Sequence, residues 1–241
     1  MAPTRAAALS RLAVALDLSD HDATVAMAAS LVGHCGMVKL GLEAFSADGP
    51  DLVREVAALG MPVFLDVKLH DIPNTVERAA RNVARLCVAM FTVHASGGEA
   101  MLRAAVAGAT AGTRAGAQPP VVLAVTVLTS LDDAALEQLG VPGGAARRAR
   151  AWAELAQRAG CGGVVCSPLE AAMLRAERGP GFLLVTPGIR PSGAEVADQR
   201  RVATPTAAIA AGADVLVVGR PITGTADPAA AAEAILAELC K

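Results

Sequence analysis

Residues 62–76 read Pro-Val-Phe-Leu-Asp-Val-Lys-Leu-His-Asp-Ile-Pro-Asn-Thr-Val, which places Asp66, Lys68 and Asp71 close together along the chain. Val63, Phe64 and Leu65, bounded by Gly60 and Pro62, predict a strand. Its period-two alternation sets Asp66 and Lys68 side by side on one face, with Asp71 just past the end. Pro73, Asn74 and Thr75 then open a helix with a turn residue and candidate N-caps. Carboxylates and an ammonium crowded at the end of a buried strand are costly unless they pair or face a ligand. An isolated Asp-x-Lys closes many strand ends as a plain salt bridge. The third charge and the immediate helix start favour a site where fixed charges face a polar substrate.

The elements that must hold these groups alternate along the whole chain. Short apolar runs at 12–16, 37–40, from 63 in the stretch above, 90–93, 121–127, 163–166, 182–185 and 215–218 predict eight strands. Helical stretches are expected after Ser19 as N-cap to about 31, from Pro50 to about 59, and from Thr75 to about 86. Further ones are expected over 99–107, twice within 131–159 with a break at Val141-Pro142-Gly143-Gly144, over 168–178 and 204–211, and from Asp227 to 240. Residues 108–120, rich in Ala, Gly and Thr, read as an exposed connection. Eight βα units in 241 residues predict an α/β fold, a (β/α)8 TIM barrel forming one domain over 1–241. The strands are continuous apolar runs, as a parallel sheet buried on both faces requires. No dinucleotide fingerprint follows the first strand, which disfavours an open doubly wound sheet.

Barrel sites lie at the C-terminal strand ends, and there the sequence offers Asp17, Lys39, Asp66, Lys68, Asp71, His94, Thr129, Arg190 and Arg220. Such a ring of acids and lysines would present opposite charges to a substrate and perturb the titration of its own members. The loops after strands seven and eight, a common phosphate site in barrels, supply Gly188, Arg190, Gln199, Gly219 and Arg220. Together they favour a phosphorylated small molecule. His70 lies between charged positions, where packing a turn and touching ligand are both open to it; His94 is read first as packing. Arg147, Arg148 and Arg150 read as a solvated helix face.

Composition narrows the partners. A net charge of −2 gives no footprint for nucleic acid. No apolar run is long enough to span a membrane, and Arg11 interrupts the only signal-like start, so a cytoplasmic protein is expected. Cys35, Cys87, Cys161, Cys166 and Cys240 form no metal-type cluster and read as reduced thiols. With 54% hydrophobic residues, 2% aromatics and no Tyr, the core must be built from Val, Leu, Ile and Ala.

Asp-x-Lys-x-x-Asp-Ile-Pro-Asn-Thr at 66–75 resembles the signature of the bacterial orotidine 5′-phosphate decarboxylases. The resemblance continues in Leu16-Asp17, Val38-Lys39-Leu40-Gly41, 124–130, 186–191, Asp198-Gln199-Arg200-Arg201 and 217–222, and so covers most of the chain. It implies decarboxylation of orotidine 5′-monophosphate to UMP and CO2, with neither metal nor organic cofactor. It also implies roles: Lys68 as proton donor with Asp66, Lys39 and Asp71 in the charge array, and Asp17 and Lys39 on the ribose. Thr129 would meet the pyrimidine, and Gln199, Gly219 and Arg220 the phosphate, with Arg190 nearby. By the same resemblance Asp71, Ile72 and Thr75 reach into a neighbouring subunit's site, which implies a homodimer. Two rivals stand beside this reading. One is a Mg-dependent sugar-phosphate decarboxylase or aldolase of a related barrel family, which shares Asp-x-Lys-x-x-Asp but not the Ile-Pro-Asn-Thr that follows. The other is a non-catalytic phosphosugar-binding barrel, against which the intact Asp66/Lys68/Asp71 set argues.

Overall fold

A strand of five residues buried on both faces cannot stand alone, and eight of them here satisfy one another by closing into a ring. The computed structural model describes residues 4–191 and 203–240. Its strands are β1 (Leu12–Leu16), β2 (Met37–Gly41), β3 (Val63–Leu69), β4 (Met90–His94), β5 (Val121–Val125), β6 (Gly163–Val165), β7 (Leu183–Thr186) and β8 (Val215–Val218). All pairings are parallel, and β1 bonds to both β2 and β8, so the sheet is a closed barrel without an edge. Around it run α1 (Arg5–Ser10), α2 (His21–Ser30), α3 (Leu42–Ala58), α4 (Pro73–Ala84), α5 (Gly98–Gly112), α6 (Asp133–Gln138), α7 (Ala145–Arg158), α8 (Pro168–Arg178), α9 (Pro205–Ala210), α10 (Arg220–Thr223) and α11 (Pro228–Leu239). Among the described residues no helix is long and apolar enough to cross a membrane.

Strand alternation divides the apolar residues into two layers. Outward-facing Val14, Leu16, Val38, Leu40, Leu65, Phe91, Val93, Leu216 and Val218 pack under the helices. Inward-facing Ala13, Ala15, Met37, Phe64, Met90, Leu123, Val185, Val215 and Val217 fill the barrel, small β1 residues leaving room for large ones opposite. Two residues further along the same inward faces come Asp17, Lys39, Asp66, Thr92, Val125 and Gly219. The period that builds the barrel core therefore also delivers the polar groups to its C-terminal mouth. A smaller cluster of Val127, Leu136, Ala145 and Ala149, with Trp152 against it, anchors α6 and α7.

Several elements differ from the sequence reading. Residues 5–10 form a helix capped by Thr4, whose buried Ala8 joins the core cluster that packs the helices on the barrel. Asp20, not Ser19, caps α2 by accepting from the Ala23 amide. The helix expected from Pro50 is the second half of α3, which begins at Leu42 and kinks at Gly49, whose φ is +64°. In α4 the N-cap is Ile72, without a side-chain cap bond; Pro73 sets the first turn and Asn74 and Thr75 lie inside it. The segment from 108 to 112 is helix, not loop. A Cβ on Gly108 would stand 2.1 Å from the Glu77 carbonyl oxygen, and one on Gly112 2.2 Å from that of Arg81. Those glycines let α5 lie directly on the α4 backbone, which is why a loop-like composition occurs inside a helix.

Candidate active site

Three neighbouring strands carry the charged groups of the mouth. Asp17 follows β1, Lys39 lies within β2, and Asp66 and Lys68 lie near the end of β3. Lys39 Nζ stands 3.1 Å from Asp17 Oδ1 and 3.6 Å from Asp66 Oδ2; Lys68 Nζ donates to Asp66 Oδ2 at 2.8 Å. The four form a line of alternating charge, Asp17–Lys39–Asp66–Lys68. Lys39 is buried at 8% exposure, a position tolerable only because both neighbours are carboxylates. Gly41 leaves the space this requires, since a Cβ there would stand 2.9 Å from Lys39 Nζ and 3.0 Å from Asp17 Oδ1.

The end of β3 is not a regular strand. Leu65 pairs with Phe91 and Leu69 with Val93, so four steps on β3 match two on β4 and the chain between them bulges. Lys68 takes the left-handed backbone conformation, with φ +49°. A non-glycine residue held there costs about 1–3 kcal/mol and persists only where its surroundings fix it. Thr92, fully buried on β4, does so: its Oγ1 accepts the Lys68 backbone N–H at 2.9 Å and donates to Asp66 Oδ1 at 2.8 Å. Sequence reasoning missed Thr92. The inward register of β4, Met90–Thr92–His94, was the available signal.

Burial acts to raise the Asp66 pKa, but the charges of Lys39 and Lys68 and the hydrogen bonds from Lys68 and Thr92 outweigh it and hold the carboxyl below its usual range. Asp66 is therefore an anion at neutral pH. His94 is held below the ordinary imidazole range, first by burial and then by the charges of His70 and Lys68, against the opposing pull of Asp66. Its ring centroid lies 5.5 Å from that of His70.

Beside the array opens a cavity of about 490 Å³. Asp17, Lys39, Asp66 and Lys68 line one side, and Thr129, Arg190, Gly219 and Arg220 another. Because β5 ends at Val125, not at 127 as its apolar run implied, Val127, Leu128 and Thr129 turn into this wall. Gly219 precedes the four-residue α10, which the sequence did not reveal, and Arg220 opens it. Burial, then the charge of Arg220, holds the Arg190 guanidinium below its ordinary pKa, as expected where two cations share one wall. Glu43, whose carboxylate accepts from Ser19 Oγ at 2.7 Å, also lines the cavity and was not singled out from sequence.

Three expected site residues are not brought to the cavity of their own chain. Asp71, Ile72 and Thr75 are exposed, Ile72 at 65%, and the Asp71 carboxylate accepts the adjacent Ile72 amide at 2.6 Å. Gln199 lies outside the described residues. Among the described residues no group of three or more His, Cys, Asp or Glu side chains converges as a metal site.

Strand-end charges joined to a phosphate-like wall in a closed eight-stranded barrel can be compared with known proteins. The model of the orotidine 5′-phosphate decarboxylase / HUMPS family matches residues 10–235. The chain belongs to this family. Within it, the chain is 55% identical over 229 residues to the orotidine 5′-phosphate decarboxylase of Anaeromyxobacter dehalogenans (strain 2CP-1 / ATCC BAA-258), covering 95% of this chain and 98% of that one. With the enzyme of the same name from Thermobifida fusca (strain YX) it shares 53% over 231 residues, 95% and 96% of the two chains. The crystal structure of orotidine 5′-phosphate decarboxylase from Lactobacillus acidophilus superposes with a TM-score of 0.86 at 40% identity, covering 95% of this chain and 99% of that one. Relatives of this name at this identity favour the decarboxylase branch over the sugar-phosphate enzymes of the same family.

Proposed function

We propose that this chain decarboxylates orotidine 5′-monophosphate to UMP and CO2, the last step of de novo pyrimidine synthesis. The observation that carries the reading is the alternating line Asp17–Lys39–Asp66–Lys68 beside a two-arginine wall. The two acids and two lysines sum to zero charge. A substrate phosphate, carrying about −1.5 to −2 near neutral pH, is then left to Arg190 and Arg220.

In this reading the C6–carboxylate bond breaks, CO2 departs, and the electron pair left on C6 takes a proton from Lys68 Nζ. The pyrimidine π system cannot spread that pair well, so placed charge must carry the transition state. Asp66 does two things. It holds the Lys68 ammonium at 2.8 Å, and its own negative charge faces the substrate carboxylate. Two like charges about 4 Å apart at an effective dielectric near 20 repel by roughly 4 kcal/mol. Enzymes remove roughly 8–23 kcal/mol from a barrier, so repulsion is the smaller part and stabilisation by Lys68 the larger. Asp17 and Lys39 take the ribose hydroxyls, Thr129 the pyrimidine edge, and Gln199, Gly219 and Arg220 the phosphate with Arg190 beside them.

Asp71, Ile72 and Thr75 complete a site across a two-fold axis in a homodimer. Their exposure in the single chain, and their absence from the lining of its own cavity, support that placement. One domain over 1–241 and a cytoplasmic location belong to the same reading; the five cysteines, none in a disulfide, agree with a reducing compartment. Purified protein given orotidine 5′-monophosphate in the presence of EDTA should discharge its absorbance at an undiminished rate. No turnover, or turnover only with added Mg2+, would refute the assignment.

A further inference from the structure

Between Leu65 and Leu69, where β3 carries its reacting groups, a single residue of β4 stands opposite the bulge: Thr92. Its hydroxyl has one proton and gives it to Asp66 Oδ1; its lone pair takes the backbone N–H of Lys68. Asp66 and Lys68 are thus joined twice, once directly through Nζ and Oδ2 and once through this hydroxyl to the left-handed backbone of Lys68. The Asp66 carboxylate, gripped on both oxygens, cannot rotate, and Lys68 cannot relax to an extended conformation without stripping Thr92 of a donor. Being fully buried, Thr92 finds no water to replace either bond.

We propose that Thr92 is a positioning residue for the decarboxylation, its hydroxyl locking the β3 bulge so that Asp66 and Lys68 face the reacting carbon in a fixed geometry. This rests on the functional reading above and deepens it. Thr92 is absent from the lining of the cavity, so it acts on substrate only through the two residues it holds. Loss of its hydroxyl should therefore degrade the chemical step and spare the binding of phosphate and ribose, which other strands supply.

Thr92→Val keeps the shape and removes both bonds, whereas Thr92→Ser keeps the hydroxyl. In Thr92→Val, kcat for orotidine 5′-monophosphate should fall at least about tenfold, while KM and the inhibition constant of UMP stay within about threefold. Thr92→Ser should recover kcat to within about threefold of wild type. Wild-type kcat in folded Thr92→Val, or losses shared equally between kcat and UMP affinity, would overturn the proposal. Should Thr92→Val fail to fold, Thr92→Ser decides alone: a kcat within threefold supports a hydroxyl role, and a tenfold loss in folded protein refutes it. Absence of turnover by the wild-type protein under the same assay would instead sink the parent reading, which keeps the two failures apart.

Discussion

Lys68 concentrates three features in one residue: the charge nearest the proposed reacting carbon, the proton that carbon must receive, and a left-handed backbone. Lys68→Ala should leave the barrel folded and lower kcat by more than about 10³-fold, since general-acid catalysis alone is worth about 10²–10⁴. Circular dichroism on the same preparation as the assay checks both halves, and near wild-type kcat in folded protein would remove Lys68 from the chemistry. Arg220→Ala should act at the other wall. A lost charge-assisted contact of about 1.5–3 kcal/mol predicts a roughly 10- to 150-fold fall in kcat/KM for the nucleotide. Orotidine, which lacks the phosphate, should be turned over equally by both proteins; equal losses for both substrates would point to a folding role. At this scale the charged residues were legible because acids and lysines recur together at several strand ends, where any one of them alone would read as a plain salt bridge. The geometry joining Asp66 to Lys68 was not. Simple alternation placed them side by side, whereas the structure uses a bulge, and the threonine that makes it possible resembles any β-branched strand residue.

Helices were legible where a helix-opening residue preceded the apolar spacing, as in α8, which starts at Pro168 and which the structure shows to be closed by a Ser167–Glu170 capping box. They were obscured where composition served packing. Gly108 is the clearest case, because propensity and contact predict opposite signs. Gly→Ala in a helix interior gains about 1 kcal/mol by propensity. Here the added Cβ would meet the Glu77 carbonyl oxygen at 2.1 Å, so α5 must lift from α4. Gly108→Ala should therefore destabilise the protein by about 1–3 kcal/mol in urea unfolding, and any stabilisation would contradict the close packing. Between α2 and α3, His21 Nε2 lies 2.9 Å from Glu55 and Nδ1 3.6 Å from Asp48. Hydrogen bonding to Glu55 is the main cause of its raised pKa. A raised folded-state value means the stabilisation is complete below the unfolded pKa of about 6.5 and is lost as pH rises through the folded value. The Tm advantage of wild type over His21→Gln should accordingly be largest in mild acid and shrink as pH rises above about 6.5; a pH-independent difference would show that the imidazolium is not involved.

For the whole molecule, the barrel could be inferred from eight alternating units, whereas the residues standing outside their own cavity were expected only through the family resemblance. Asp71, Ile72 and Thr75 follow the same strand as Lys68 yet lie outside the site it lines. The shared-site reading makes a quantitative demand. Lys68→Ala and Asp71→Asn homodimers should each be nearly inactive. In a hybrid, one site receives both defects and the other neither, so random mixing should restore about a quarter of wild-type activity. Native mass measurements verify that hybrids form. Verified hybrids no more active than their parents would place Asp71 in its own subunit's site.

The chain has one tryptophan and no tyrosine, and that tryptophan stands on α7 against the cluster that includes Val127. Val127 also lines the cavity, and the Arg148 guanidinium lies 5.6 Å from the indole centroid. Tryptophan emission from this protein is thus the signal of a single indole, packed against a cluster that extends to the proposed pyrimidine-binding wall and beside a cationic neighbour. The same scarcity of absorbing side chains leaves the near-ultraviolet largely to the nucleotide, so binding and turnover can be followed optically without introducing a label.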